Sequence, residues 1–470
     1  MNQTLPVVGL ALLGAVFVVT LARNGAYWWR MLRQASRLRG TRASERSRAA
    51  GLSAGDSDLH VHYIIPAYQE VDALPQTFRA LQRAVEASRY RASVIVVTSV
   101  HDEPTYPGER RTRQVAEELC DGLEYASVLI DETEVPSMAA SFNTGTRHVA
   151  GSAPDPTRTY VAAYNADSSA TLDSVQALGD TILAREHPQV LQINHSSLRN
   201  LAAMRGLGGW YAKGCAYYQS RWALGFELDM HRRNSVSRRR GPLGHSYHLK
   251  GHGLVLRLDV ALDVGGFSTD TPCEDLELGF RLSLRGVPVH VVPVLEDTES
   301  PPTARTAVAQ KRYWYSGMID VLNFHRLSPG LRAASPFRFE VQRLASVYRS
   351  AAGFLLGPVP SWVLLAGAVT TGWWWLAAPV VANGVLSVFL VRRALRLLGS
   401  PLAPLRPYEA VTLPVAVVCW SMTRNLGPLQ YVWSMLRTRD RAGRMRAAHL
   451  GHIEGSAQID GAGVREPVGG

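Results

Sequence analysis

An uncharged apolar run, residues 351–391, sets the first limit on how this chain can fold. It is roughly twice the ~20 residues that cross a bilayer. Trp373–Trp375 lie near its middle, where interfacial tryptophans would stand between two membrane helices. We therefore expect helices near residues 352–371 and 375–391, and the arginines that follow would mark the return to the cytoplasm.

Apolar residues also fill Leu5–Ala22, about one membrane crossing. No Lys or Arg precedes this stretch, whereas Arg23 and several further arginines follow it closely. A cleaved secretory signal, the alternative, carries its positive charge before the apolar core. The positive-inside rule therefore predicts an amino terminus outside and the following chain in the cytoplasm.

A third apolar stretch, residues 411–435, is interrupted by Arg424 and Pro428. It can span once, or enter and return, and the basic tail behind it favours the re-entrant or interfacial form. We expect a multi-pass protein of the cell membrane with these segments: an amino-terminal transmembrane helix (1–23), a basic juxtamembrane segment and linker (24–58), a cytoplasmic domain (59–325), an interfacial amphipathic segment (326–350), a carboxyl-terminal membrane region (351–436) and a basic, partly disordered tail (437–470).

The net charge and its distribution indicate which classes of partner this chain can bind. The chain has 50 Lys+Arg against 39 Asp+Glu, a net charge of +11, and only three lysines. Many of the arginines flank the apolar runs and no nucleic-acid-binding motif is present, so we expect anionic membrane lipids and no nucleic acid. The four cysteines form no CxxC pair, and His245, His248 and His252 lack companion ligands, so neither disulfides nor a zinc site is indicated.

The central region alternates short apolar runs with segments of helical periodicity, which predicts an α/β fold with a mostly parallel sheet covered on both faces. Pro66 should end the first strand. The predicted strands are residues 61–65, 92–97, 127–130 and 160–164, and the helices between and after them are residues 74–88, 112–119, 138–149 and 172–185.

Polar side chains follow these strands, and ligands bind at the carboxyl ends of strands in such sheets. Carboxylate and amide oxygens gathered there suit a hard divalent cation. An alternative for Asp167 is that it caps the helix beginning near residues 168–172. The residues are Tyr68 and Glu70 after the first strand, Thr98, Asp102 and Glu103 after the second, and Asn165 and Asp167 after the fourth.

Two further clusters carry possible chemistry. Glu274 and Asp275 open an amphipathic helix, where acidic residues are favoured by the helix dipole or could act as a general base. Gln310 and Trp314 are four residues apart, so they share a helix face. A tryptophan there could stack on a sugar ring or simply pack in the core.

In order and spacing these clusters resemble the membrane-integrated family 2 glycosyltransferases, relatives of cellulose and hyaluronan synthases. Pro66–Glu70 (PAYQE) is similar to the family's first-strand signature, and Asn165–Asp167 (NAD) to its metal-binding DxD motif. Cys273–Asp275 (CED) resembles the TED motif, whose Asp is the catalytic base. Gln310 and Trp314 match the ends of the QxxRW motif.

The resemblance implies an A-type nucleotide-sugar-binding, Rossmann-like domain with flanking transmembrane helices. It also implies inverting, hexosyltransferase-type transfer from a nucleotide diphosphate sugar to a lipid-linked or other membrane-proximal glycan acceptor, in polysaccharide or glycolipid biosynthesis of the cell envelope. Asp275 would be the base beside Glu274, and Asp167 would hold Mg²⁺ or Mn²⁺. The donor would contact Pro66, Tyr68, Glu70, Thr98, Asp102, Glu103, Asn143 and Asn165; the acceptor or diphosphate would contact Gln310, Lys311, Arg312 and Trp314.

Four features depart from the family pattern. Asn165 replaces an Asp, Met138 stands where a Lys is frequent, Tyr313 replaces the Arg of QxxRW, where Lys311 or Arg312 could substitute, and the second strand ends in VTSVHDE rather than in a paired Asp. The change at Tyr313 argues against a processive polysaccharide synthase, which stays one alternative. The changes at Asn165, Met138 and Tyr313 support the other alternative, a non-catalytic glycan-binding membrane protein. The transferase reading requires that Asp167 and Asp275 face one shared cavity.

Overall fold

The computed structural model describes residues 4–52, 58–102, 110–168, 170–236, 247–400, 402 and 404–437. Its sheet has seven strands in the order β3-β2-β1-β4-β6-β5-β7. β6 is antiparallel to both of its neighbours, and the other pairs are parallel. The strands are β1 (His60–Ala67), β2 (Arg91–Ser99), β3 (Ala126–Asp131), β4 (Thr159–Ala163), β5 (Val190–Ser196), β6 (Leu254–Arg257) and β7 (Val289–Asp297).

Eighteen α-helices are described, with π-helical turns at Ala223–Glu227 and Tyr348–Ala352 and 3₁₀ turns at Val321–Asn323 and Trp374–Ala377. The α-helices are α1 (Thr4–Leu52), α2 (Leu74–Glu86), α3 (Thr112–Cys120), α4 (Met138–Ser152), α5 (Leu172–Ala184), α6 (Gly206–Trp222), α7 (Leu228–Val236), α8 (Leu258–Val264), α9 (Glu274–Arg285), α10 (Ala304–Asp320), α11 (Phe324–Leu327), α12 (Pro329–Ala334), α13 (Pro336–Val347), α14 (Gly353–Leu356), α15 (Val359–Thr371), α16 (Ala378–Leu397), α17 (Pro407–Thr423) and α18 (Leu426–Arg437).

Both faces of the sheet are covered, as expected for an α/β fold. Residues of α2, α3 and α5 join one buried apolar cluster, and residues of α4, α8 and α9 join the other. Along β1, Tyr63 and Ile65 belong to the first cluster and Ile64 to the second, because successive side chains of a strand point to opposite faces. The predicted α/β architecture and its mostly parallel sheet are confirmed.

The prediction that Pro66 ends the first strand is wrong. β1 continues through Pro66 to Ala67, and Pro66 pairs with Val97 of β2. Pairing with β4 ends at Ile64, whose carbonyl accepts from Tyr164 N. Pro66 follows Ile64 by two residues, so its missing N–H lies on the side where the β4 ladder has already ended, and no hydrogen bond is lost.

The predicted linker is also wrong in its first part, because α1 is one continuous helix that ends at Leu52. Tertiary contacts hold its carboxyl-terminal half: Gln34 donates to Asp229 Oδ1 at 2.6 Å. Buried Glu45 accepts from Arg185 Nε at 2.7 Å. Residues 53–57 of the predicted linker, and the tail beyond residue 437, lie outside the described residues.

Three helical stretches among the described residues are long and apolar enough to cross a membrane: Gly9–Gly51, Pro336–Thr371 and Trp374–Leu397. The predicted interfacial amphipathic segment, residues 326–350, overlaps the start of the second stretch from Pro336 onward. There Phe339 packs with Phe280 of α9, while Phe337 and Leu344 stay exposed.

The last apolar stretch forms two helices, α17 and α18, that meet at Arg424–Asn425. α17 packs closely on α6, a helix that the sequence analysis did not anticipate. At the crossing, a Cβ added to Gly214 would lie 2.2 Å from the Ala416 carbonyl oxygen. This contact fixes the last apolar stretch against the α/β domain.

We predict that Gly214→Ala destabilises the full-length protein by ~1–3 kcal/mol, because backbone atoms at the crossing cannot make room for a methyl group. The measurement is the apparent melting temperature in detergent. Gly208→Ala on the same helix is the control, since its added Cβ would meet only Ala304 N at an ordinary 3.7 Å. Equal melting temperatures for the two variants would contradict the close crossing.

Candidate active site at the carboxyl edge of the sheet

The carboxyl ends of β1, β2 and β4 meet at one edge of the sheet. Because β6 runs antiparallel to β4, its amino-terminal end lies at the same edge, and Leu254 pairs with Ala163. The loop Gly251–Gly253 is thereby placed beside the Asn165–Asp167 turn. Two segments that are far apart in sequence thus share the edge where α/β sheets bind ligands.

The Asn165–Asp167 turn presents oxygen atoms at this edge. Asn165 Oδ1 is buried and has no hydrogen-bond partner among the described residues, whereas Asp167 is exposed. The alternative that Asp167 caps the next helix is wrong. α5 begins at Leu172, and its cap is Thr171, whose Oγ1 accepts from Ser174 N at 3.0 Å.

A buried hydrogen-bond chain fixes this turn. Asn165 N donates to Ser168 Oγ at 3.1 Å, and Ser168 Oγ lies 2.8 Å from His252 Nδ1. His252 Nε2 lies 2.8 Å from Glu296 Oε2, and Tyr164 OH donates to Glu296 Oε1 at 2.6 Å. Ser168, His252 and Glu296 are all buried, so the chain ties the turn to β7 through the loop before β6.

Asp275 reaches the same loop from the first turn of α9. Its Oδ2 accepts from Gly251 N at 2.9 Å. Gly251 also packs closely on α4, because a Cβ added to it would lie 2.8 Å from Met138 Cε. The structure therefore connects Asp275 to the Asp167 turn through a single loop, Gly251–His252, although they are far apart in the sequence.

The two adjacent carboxyl groups on α9 have different surroundings. Burial, with the charge of Asp275, raises the pKa of Glu274 to about 8. Burial also raises the pKa of Asp275, but His248, the Gly251 and Leu276 N–H groups and Lys250 oppose that rise. Both Asp275 oxygens accept hydrogen bonds from backbone N–H groups, Oδ2 from Gly251 at 2.9 Å and Oδ1 from Leu276 at 2.6 Å, and such bonds favour the carboxylate form.

Helix α10 packs directly on this segment. Tyr313 OH donates to the Pro272 carbonyl at 2.5 Å, and a Cβ on Gly317 would overlap Cys273 Sγ. Tyr313 stands at the position where the family motif has Arg, and here it holds the chain just ahead of Glu274. The Cys273–Asp275 and Gln310–Trp314 clusters are therefore neighbours in space.

Lys311 is the buried cation of α10. Its Nζ donates to Gln310 Oε1 at 3.1 Å and lies 3.4 Å from the centroid of the Trp314 ring, which is 37% exposed. Gln310 Oε1 also accepts from Gln219 Nε2 of α6 at 3.0 Å. Burial lowers the pKa of Lys311 to about 8.

Arg312 takes a different direction from Lys311. It lines an open cavity of about 530 Å³ with Gln430, Trp433, Ser434 and Arg437 of α18. Successive helical residues are about 100° apart, so only one of the two cations can face the Gln310 side. The structure places Lys311 there, and contact of Arg312 with the acceptor or the diphosphate stays a prediction.

The residues predicted to contact the nucleotide-sugar donor fall into distinct groups. Tyr68 and Glu70 are half-buried beyond the end of β1, and Glu70 N donates to Thr112 Oγ1 at 3.0 Å. Thr98 lies within β2 rather than after it and is fully buried, with Oγ1 donating to the Leu129 carbonyl at 3.4 Å. Glu103 lies outside the described residues.

Two other residues predicted to contact the nucleotide sugar, Asp102 and Asn143, accept hydrogen bonds from backbone N–H groups with their side-chain oxygens. Asp102 accepts from Gln69 N at 3.3 Å and from Arg113 N at 3.0 Å, so it positions the turn after β1. Asn143 exchanges two hydrogen bonds with the backbone of Phe267, at 2.8 and 2.9 Å. Contact of either residue with the nucleotide sugar stays a prediction. The structure adds that each one positions a neighbouring backbone segment.

Sequence reasoning missed a basic and acidic pair behind the Gly251 loop. Lys250 forms an ion pair with buried Glu227, which closes the π-helical turn after α6, and Lys250 Nζ lies 3.5 Å from His195 Nε2. The rarity of lysine in this arginine-rich chain was the available signal for Lys250. For Glu227 and Glu296, only the folded structure shows that they are buried and paired.

The family comparison covers just under half of the chain. Residues 200–423 match the family model described as glycosyl transferase family group 2. The match includes the Cys273–Asp275 and Gln310–Trp314 clusters and supports a glycosyltransferase. A search of curated proteins gave no match.

Solved structures similar to this chain include three glycosyltransferase-like proteins. Mannosyltransferase PcManGT from Pyrobaculum calidifontis, in complex with GDP-Man and Mn²⁺, is 16% identical over 87% of this chain and 99% of its own, with a TM-score of 0.46. TarS from S. aureus with UDP-GlcNAc is 14% identical (78% and 92% covered, TM-score 0.37). M. tuberculosis glucosyl-3-phosphoglycerate synthase is 14% identical (53% and 75% covered, TM-score 0.30). These likenesses are too low to transfer a ligand.

We predict that Glu296→Gln destabilises the protein by ~1–3 kcal/mol, because the amide cannot accept from both Tyr164 and His252 in a buried site. Glu299→Gln, three residues further on and 43% exposed at the side chain, is the matched control and should change little. Thermal unfolding of both full-length variants measures the difference. A Glu296→Gln protein as stable as the control would show that the buried chain contributes nothing.

Proposed function

We propose that this chain is a membrane-bound, inverting glycosyltransferase that moves a sugar from a nucleotide diphosphate sugar to a lipid-linked or other membrane-proximal acceptor. The observation that carries the proposal is the Gly251–His252 loop, which contacts Asp275 on one side and the Asp167 turn on the other. The base and the diphosphate site must lie close together, because the acceptor oxygen attacks the same anomeric carbon that the diphosphate leaves. The family 2 match over residues 200–423 supports the reaction class.

Asp275 is the proposed general base. Asp275 is half-buried, and its two carboxyl oxygens are oriented by the Gly251 and Leu276 N–H groups. An acceptor hydroxyl placed against Asp275 would give up its proton as its oxygen attacks the anomeric carbon from the face opposite the diphosphate. Such help contributes roughly 10²–10⁴-fold in rate.

The Asn165–Asp167 turn fits a hard divalent cation. Asn165 Oδ1 is a buried oxygen without a hydrogen-bond partner among the described residues, and Asp167 adds an exposed carboxylate. Mg²⁺ is commonly held by one or two protein oxygens together with substrate phosphates, so these two side chains could hold Mg²⁺ or Mn²⁺ with a bound diphosphate. A bound ion would offset the negative charge on the departing diphosphate.

Lys311 supplies the proposed fixed cation for that diphosphate. Lys311 would take over the role of the Arg that Tyr313 replaces in the family motif. It lies on the Gln310 side of α10, close enough to Lys250 to feel its charge. Trp314, with its ring partly exposed beside Lys311, would cover the acceptor sugar. The three apolar helical stretches would place this site beside the membrane, with the α/β domain in the cytoplasm.

We predict that Asp275→Asn lowers kcat by at least 10²-fold and leaves donor affinity within a few-fold, because the amide cannot take a proton. The assay follows nucleotide release from a panel of nucleotide sugars by the full-length enzyme in detergent. Asp270→Asn, exposed and five residues earlier, is the control. Turnover by Asp275→Asn near that of wild type would remove Asp275 as the base, and no turnover by wild type on any donor would favour the non-catalytic alternative.

A second prediction concerns pH. Lys311 is charged below its pKa of about 8 and neutral above it, so the affinity for UDP or GDP should fall about tenfold between pH 7 and 9. Lys311→Arg, charged throughout, should flatten this profile, whereas Lys213→Arg on α6 should leave it unchanged. Nucleotide Kd values across that pH range provide the measurement. A flat wild-type profile would exclude Lys311 from the diphosphate site.

A further inference from the structure

A second cavity, of about 260 Å³, lies away from the sheet edge among the membrane-region helices. α1, α6, α15 and α16 contribute to its walls, together with the break between α17 and α18. One part of the lining is apolar and includes Val16, Val19 and Val380. Another part is cationic, formed by Arg23, Arg221 and Arg424.

Two of these guanidinium groups converge on one aromatic ring. The Tyr218 ring centroid lies 4.9 Å from the guanidinium carbon of Arg221 and 4.8 Å from that of Arg424. Arg221 also lies 5.0 Å from the Tyr27 ring and donates to Asn383 Oδ1 and, at 3.2 Å, to Ser387 Oγ. These partners are all neutral, so they hold the arginines in place without balancing their charge.

Among the described residues, no carboxylate balances the positive charge in this cavity. No Asp or Glu belongs to the lining, and no ion pair joins Arg23, Arg221 or Arg424 to a carboxylate within the described ranges. The Nε atoms of Arg221 and Arg424 are buried and have no hydrogen-bond partner among the described residues. Burying a cation without a counterion costs free energy. An anion with several acceptor oxygens would supply both the missing negative charge and hydrogen-bond acceptors for the arginines.

The position of the cavity favours a lipid as the source of that anion. Its α1 wall runs from Ala15 to Asn24, across the point where the apolar stretch ends and the arginines begin. A lipid phosphate lies at such a boundary, with its acyl chains on the apolar side. A free phosphate ion would gain no binding energy from contact with the apolar wall.

The geometry points to a binding site for the phosphate group of a membrane lipid, held by Arg221 and Arg424 between α1, α6 and the α17–α18 break. The assignment rests on the proposed membrane placement of these helices and not on the sugar transfer. α6 separates this cavity from the candidate active site, since its Gln219 contacts Gln310 while Tyr218 and Arg221 line the cavity.

The test uses delipidated full-length protein in a neutral detergent and three probes: dioleoyl phosphatidic acid, dioleoylglycerol and inorganic phosphate. Native mass spectrometry counts retained lipid, and thermal unfolding reports stabilisation. We expect one phosphatidic acid per chain to be retained and neither of the other probes to bind comparably. Dioleoylglycerol binding as well as phosphatidic acid would overturn the phosphate site, and inorganic phosphate displacing the lipid at equal concentration would overturn the lipid assignment.

The paired variant Arg221→Gln, Arg424→Gln should weaken phosphatidic acid binding at least tenfold. Arg393→Gln, Arg396→Gln is the matched control, because these exposed arginines of α16 lie outside the cavity and their removal changes the net charge equally. Equal binding by both double variants would overturn the proposal. The probe comparison on wild type needs no variant, and Asp275→Asn should bind the lipid like wild type, so a failed transferase assignment leaves this result readable.

Discussion

The hydrogen bond from Gly251 N to Asp275 Oδ2 joins the two halves of the candidate site, and the rest of the geometry depends on it. It forms because β6 enters the sheet antiparallel and brings its preceding loop to the carboxyl edge. Gly253, with φ +69°, makes the turn into β6, and an added Cβ there would lie 2.8 Å from the Ile193 carbonyl oxygen. The glycines let this loop pass between α9 and the Asn165–Asp167 turn.

Acidic and basic side chains occupy different parts of the molecule. The carboxyl groups of Asp275 and Asp167 lie at the sheet edge, where Asp167 is exposed. Lys250 and Lys311 lie behind them, and the second cavity is lined by three arginines that form no ion pair with a carboxylate among the described residues. α6 contributes to both regions, because Gln219 contacts the α10 cluster and Arg221 faces the cavity.

Local patterns predicted most of the α/β elements. The helix predicted over residues 74–88 is observed at Leu74–Glu86, and the strand predicted over residues 127–130 at Ala126–Asp131. The errors have identifiable causes. Pro66 continues a strand because the neighbouring ladder has already ended, and residues 47–52 continue α1 because Glu45 and its neighbours are held by tertiary contacts that composition cannot reveal.

The amino-acid sequence alone determined the alternating strands and helices from β1 to α5, the apolar stretches and most of the polar residues that follow those strands, because these depend on periodicity and on near neighbours in the chain. Only the tertiary structure decided that Lys311 rather than Arg312 faces Gln310, that Thr171 rather than Asp167 caps α5, and that Arg221 and Arg424 meet at Tyr218. Each of those outcomes depends on which segments pack together across long stretches of chain. The burial and pairing of a charge are properties of that packing, so no local pattern encodes them.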